Sequence, residues 1–209
     1  MAVMVDALST LGASFITFFS IANPIGSALI FDRAVADLNR CARRRLARRI
    51  AFLSGVIVIV AAVAGSDILH ALGIRLDTLR VAGGLILGAQ AWRLISQDAS
   101  ERSEERVGVR GALPPLTVPL TIGPGTIAAA ISLGAESAAS PHAVVHLAAV
   151  LLAVLLLAAL IAITYGNARR IVELLGEHGS CAAVQLSSFV LLCISVEMVL
   201  QGLRNTMSS

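Results

Sequence analysis

The residues best placed to do chemistry in this 209-residue chain fall in two short motifs. Asn23-Pro24-Ile25-Gly26 is followed by Ser27, and Gly123-Pro124-Gly125-Thr126 recurs 100 residues later. Each lies in a charge-free run of 25 residues, 7–31 and 111–135. Proline removes a backbone donor and clashes with the preceding turn, and the neighbouring glycine relaxes the chain further. The expected product is a helix interrupted in mid-membrane. Freed N–H and C=O groups are costly in lipid, and are tolerated where the break lines a cavity or is buried in protein. Helix N-termini at such breaks suit a carboxylate, and unwound carbonyls suit an ammonium group or a cation. Asn23, Gly26, Ser27, Gly123, Gly125 and Thr126 are therefore the candidate substrate-binding residues, with Ser20 and Thr121 as secondary candidates. The plainer alternative is that the Ser and Thr hydroxyls bond back to their own helices.

The composition says what kind of elements must position these motifs. Hydrophobic residues make up 57% of the chain and charged residues 14%, against roughly 25% charged in a soluble domain. Such a chain has too little polar surface to cover itself in water. That excludes a disordered chain, a nucleic-acid-binding domain and an ordinary soluble enzyme. It indicates a polytopic membrane protein. Charge-free or nearly charge-free segments predict six spans, within 7–31, 50–72, 81–92, 111–135, 143–164 and 179–203. The third is the shortest, bounded by Arg80 and Arg93, and reaches full length if both arginines snorkel toward the headgroups. The apolar start lacks the basic region and cleavage site of a secretory signal, so it is read as a retained span.

All 16 basic residues are arginine, and their placement sets the orientation. Seven fall in the first loop (Arg33 to Arg49), four in the third and two in the fifth, against only Arg75, Arg80 and Arg204 on the opposite side. Thirteen against three puts loops one, three and five in the cytoplasm and both termini outside. Cys41 and Cys181 then face a reducing compartment and Cys193 lies in the membrane, so no disulfide is expected. The polar loop at about 98–110 divides a single membrane domain, 1–209, into halves at about 6–97 and 111–205. With three spans each, the halves enter the membrane from opposite sides. If related, they are inverted repeats, and paired breaks in such halves point to a transporter site. The expected fold is an all-α integral membrane protein of six helices, with helices 1 and 4 broken.

Three segments carry a family resemblance. Ser20–Ser27 (SIANPIGS), Arg80–Leu87 (RVAGGLIL) and Val118–Ile127 (VPLTIGPGTI) are similar to signature segments of the MarC family of six-span bacterial membrane proteins. The resemblance extends over nearly the whole chain. It implies an inner-membrane protein with discontinuous first and fourth helices, some of whose relatives move glycine and alanine. The chain departs from the family near the sixth span. Gln185 and Ser188 stand where the family has an Arg and a Gly, and Glu197 where a neutral polar residue is usual.

Other candidates carry less. Arg80 and Glu197 occupy matching places in the two halves, so an Arg80–Glu197 pair is expected as a lock or proton-sensitive gate, against the alternative that Glu197 lies in the outer headgroup region. His142 and His146 are spaced for one helix face, but without a nearby third ligand they read as interface residues and no metal is expected. Gly83, Gly84 and Gly88 suggest close packing, Trp92 an interfacial anchor. The arginines at 43–49 could meet anionic lipid headgroups, although their role in orientation already explains them. There is no nucleotide-binding loop and no recognisable nucleophile–base spacing, so no enzyme is expected. The reading is a secondary transporter of a small neutral amino acid, coupled to Na+ or H+ and needing no cofactor. Export of another small solute, or a non-transporting scaffold, is the alternative. Faces of Leu, Ala and Val mark no partner protein.

Overall fold

The computed structural model describes residues 2–36, 38–96 and 122–207, and among them every regular element is an α-helix. Helices α1 (Ala2–Ala22) and α2 (Pro24–Ala34) meet at Asn23. Then come α3 (Arg40–Ala71), α4 (Leu76–Ser96), α5 (Pro124–Ala138), α6 (Ala143–Gly166) and α7 (Ala168–Met207). The polar loop expected at about 98–110, and Thr121, lie outside the described residues.

Local sequence explains the boundaries. Asn39 caps α3, its side chain accepting from the Ala42 N–H at 2.8 Å. At the other end Gly73 takes φ 68, which glycine adopts without penalty. The Gly73 N–H bonds the His70 carbonyl at 3.1 Å and the Ile74 N–H bonds the Leu69 carbonyl at 2.9 Å, closing a Schellman turn. Pro124 opens α5 at a first-turn position, where its missing N–H costs nothing. Gly176, at φ 64 and ψ −176, interrupts α7.

Among the described residues, four segments are long and apolar enough to cross a membrane: Val3–Ala28, Arg40–Ala71, Ala143–Gly166 and Ala182–Met207. These match the expected first, second, fifth and sixth spans. The expected third span is one helix, α4, whose 21 residues cover about 32 Å. Asp77, Arg80 and Arg93 keep it from being apolar. The expected fourth span is described only from Ile122 onward, where α5 contributes 15 residues.

The helices pair in a regular scheme. α3 packs on α6 and α4 on α7; α3 also packs on α5 as α6 does on α1, and α4 packs on α5 as α7 does on α2. Small residues permit these approaches. A Cβ on Gly134 would run into the Ala62 carbonyl of α3. On α4 the adjacent Gly83 and Gly84 serve different partners: Gly83 faces Ala128 of α5, while Gly84 faces Ser195 and Val199 of α7. The glycine pair read as a packing feature therefore packs two helices, one on each side.

Candidate functional site

At the first motif the chain bends through Asn23, whose φ of 42 lies in the left-handed region. Asparagine is among the few residues other than glycine that adopt it readily. Side chains answer two of the backbone groups freed at the bend. Gly26 N–H, turned away from a helical partner, donates to Asn23 Oδ1 at 3.1 Å. The Ala22 carbonyl accepts from Ser27 Oγ at 3.1 Å. Helical bonds resume on either side, from Asn23 N–H to Phe19 and from Ser27 N–H to Asn23. One acceptor loses its helical donor outright: the Ser20 carbonyl would pair with residue 24, and proline has no N–H. Ser20 itself is half-buried, and Ser27 is buried.

The second motif is built differently. Gly123 is the N-cap of α5, with φ −81 and ψ 172, and no side chain caps the helix. Thr126 and Ile127 N–H groups reach back to the Gly123 carbonyl at 3.0 and 3.3 Å. Among the described residues, no side-chain oxygen hydrogen-bonds to the start of α5, the positive end of its dipole. Thr126 is buried, with 1% exposed, and Gly125 is buried against Leu87 of α4. Gln90 Oε1 stands 3.5 Å from where a Gly123 Cβ would be. Among the described residues no hydrogen bond joins the two motifs, although α1 and α5 pack against each other.

A single antiparallel seam links the second motif to the buried arginine. Along α4 and α5 the facing pairs are Gln90 with Gly123, Leu87 with Gly125, and Gly83 with Ala128. The seam ends where Arg80 meets Ser132 and Glu136. Spacings of three and four residues keep each set on one helix face. Arg80, only 7% exposed, donates to Glu136, approaches Ser132 Oγ at 3.3 Å and lies 3.6 Å from Asp77. Asp77 also accepts from Asn205 of α7 at 3.1 Å. The cluster therefore joins α4, α5 and α7.

This corrects the expected Arg80–Glu197 pair, which the structure does not form. Glu197 is exposed on α7 and bonds Gln201 at 3.0 Å. The reason is angular. The buried stripe of α7 runs through Val184, Ser188, Leu191, Ser195 and Met198, and Glu197 falls off it. Arg80 shares its face with Gly83 and Leu87, which lie against Ala128 and Gly125 of α5, and of α7 it is Met198, on the buried stripe, that comes near Gly83. Glu136 was legible only as the first charge after a 25-residue neutral run. Its spacing of four from Ser132 was the signal for a shared face. Away from the seam, His146 Nδ1 lies 2.9 Å from Thr10 Oγ1, tying α6 to α1.

Comparison with known proteins bears on all of this. The family model described as MarC family integral membrane protein matches residues 8–207. The chain belongs to the MarC family. Relatives named inner membrane protein MarC, from Escherichia coli K12 and from Shigella flexneri, are each 27% identical over 96% of both chains. MarC membership and the apolar helices make this an integral inner-membrane protein. No solved structure matches it.

Proposed function

We propose that this MarC-family chain is a secondary transporter of a small neutral amino acid such as glycine or alanine, driven by a Na+ or H+ gradient. The observation that carries the reading is the start of α5 at Gly123, which no side chain caps among the described residues, beside Gln90 and the buried Thr126. Within the first turn the Gly125 N–H, with the helix dipole behind it, suits a substrate carboxylate, while the Ser20 carbonyl at the α1 break suits an ammonium group or coupling cation. Asn23 and Ser27 hold the first break in shape, and the glycines let substrate approach the backbone.

The architecture proposed is two inverted repeats of three spans, with α1–α2, α3 and α4 corresponding to the fourth span, α6 and α7. The packing scheme supports it, since exchanging the halves maps α3 on α5 into α6 on α1, and α4 on α5 into α7 on α2. α4 serves as the third span because Arg80 is neutralised within the protein. The arginine distribution supports cytoplasmic loops one, three and five and external termini. The Arg80 cluster then lies on the external side, where it ties α4 of one repeat to α5 of the other. Those helices must part there if one repeat rocks against the other to open the site.

The test is uptake of labelled glycine and alanine into proteoliposomes, with and without imposed Na+ and H+ gradients. Gradient-dependent uptake that Thr126→Ala abolishes, in protein that remains folded, supports the reading. No uptake of either amino acid under any gradient overturns it, and moves the weight to export of another solute or to a scaffold. Self-satisfied bonding at the first motif is what a scaffold would also show, so the second motif decides between them.

A further inference from the structure

The arginines at the start of α3 do not all do the same thing. Arg43 is committed: it contacts Asp32 at 2.6 Å and donates to the Leu38 and Ala36 carbonyls, stapling the α2–α3 turn. Arg169 pairs with Glu173 and Arg80 with Asp77 and Glu136. Arg45, Arg48 and Arg49 differ. Among the described residues none of them has a carboxylate within ion-pair distance, yet all three line one broad, open groove of about 1040 Å³ with Asn39, Phe52 and Leu53, its described lining all on one face of α3 and its cap.

The groove is graded along the membrane normal. α3 has 32 residues, or about 48 Å of helix, against a hydrocarbon core of about 30 Å. Residues 50–71 suffice to cross the core, which places Arg45, Arg48 and Arg49 at the headgroup level. Phe52 and Leu53, 70% and 46% exposed, follow one turn deeper. Spacings of three and four residues bring the guanidinium groups onto one side of the helix. The positive end of the α3 dipole lies at the same end. Orientation in the membrane requires basic residues on one side. It does not require them to converge on a groove with an exposed aromatic floor.

We propose that this groove binds an anionic phospholipid, its phosphate held by Arg45, Arg48 and Arg49 and its acyl chains lying along Phe52 and Leu53. Guanidinium groups match phosphate oxygens in paired hydrogen bonds. The apolar floor is what selects a lipid over a soluble phosphate. The site is independent of the transport reading.

The test is thermal unfolding of the purified full chain in a neutral detergent, titrated with phosphatidylglycerol, phosphatidylcholine or glycerol phosphate, with native mass spectrometry counting bound lipid. Ligand that binds the folded state raises Tm with concentration. Phosphatidylglycerol is expected to stabilise more than phosphatidylcholine. R45Q/R48Q/R49Q should weaken it by about 100-fold, at about fivefold per arginine. R40Q/R44Q/R170Q removes the same charge outside the groove and should leave binding near wild type. Each variant keeps ten of the thirteen arginines on the basic side. F52N should weaken phosphatidylglycerol without affecting glycerol phosphate. Equal loss in the two triple variants, no headgroup preference, or equal stabilisation by glycerol phosphate would each overturn the proposal.

Discussion

The two proline motifs sit at corresponding places in the sequence, yet the structure treats their loose ends differently. At the first, a left-handed asparagine turns the chain, and Asn23 and Ser27 return their own polar atoms to the freed Gly26 N–H and Ala22 carbonyl. At the second, glycine occupies the cap position in extended backbone, and no side chain among the described residues answers the start of α5. A break whose side chains are consumed by its own backbone is a structural hinge. On the proposed transport reading, a break without such closure is where a substrate would bind. The difference teaches that equivalent motifs need not do equivalent work, and it shifts weight for substrate contact toward Gly123, Gly125 and Thr126.

The sharpest way to break this comparison is to make the second motif resemble the first. Gly123 has an ordinary φ of −81, and among the described residues the one atom within 4 Å of an added Cβ is Gln90 Oε1 at 3.5 Å. G123D is therefore accommodated without backbone strain, and its carboxylate should cap α5, stabilising it by only about a few tenths of a kcal/mol, since glycine is itself a fair cap residue. The same carboxylate would occupy the position proposed for the substrate's. Uptake should fall by at least about 100-fold, the equivalent of losing two charge-assisted contacts, while Tm holds or rises. Uptake that survives a stabilising G123D would remove the second motif from the site.

The next largest effect is at the first motif and runs in the opposite direction. N23A loses the cap on Gly26 N–H and places alanine in the left-handed region. Together these should cost about 2 kcal/mol of stability, read as a lowered Tm in detergent. S27A forfeits only the bond to the Ala22 carbonyl and should cost about 1 kcal/mol. If either substitution abolished uptake with Tm unchanged, the first motif would be a binding element after all.

How much of this was legible follows from what each feature depends on. The interruption near residue 23 could be read from Pro24 and Gly26, because a missing donor is a property of composition. That Asn23 and Ser27 serve their own backbone could not, because it depends on one dihedral angle at Asn23. Arg80 was recognisable as a charge needing a partner at depth. Its partner was not, because matching places in the two halves of a sequence suggest a depth but not an azimuth. Glu197 has the depth and lies off the buried stripe of α7, whereas Glu136 lies on the α5 face that Gly83 and Leu87 bring against Arg80. The expected third span met the same obstacle at α4, where Arg80 pairs with Asp77 of its own helix and Glu136 of α5, and Asp77 accepts from Asn205 of α7.

The smallest expected effect discriminates most finely. N23G removes the same side chain as N23A but supplies a residue at home at φ 42. Glycine at a cap costs only a few tenths of a kcal/mol relative to asparagine, and its greater freedom in the unfolded chain offsets the relief of backbone strain. N23G should therefore stay within about 0.5 kcal/mol of wild type, while N23A falls well below it. The pair of variants separates backbone from side chain at one position. If the first break is a hinge, N23G should keep uptake within about twofold, a change of about 0.4 kcal/mol in transition-state stabilisation. If uptake in N23G instead falls as far as in G123D while stability holds, then Asn23 contacts substrate during transport. The two motifs would then work as a pair, their difference confined to the resting state.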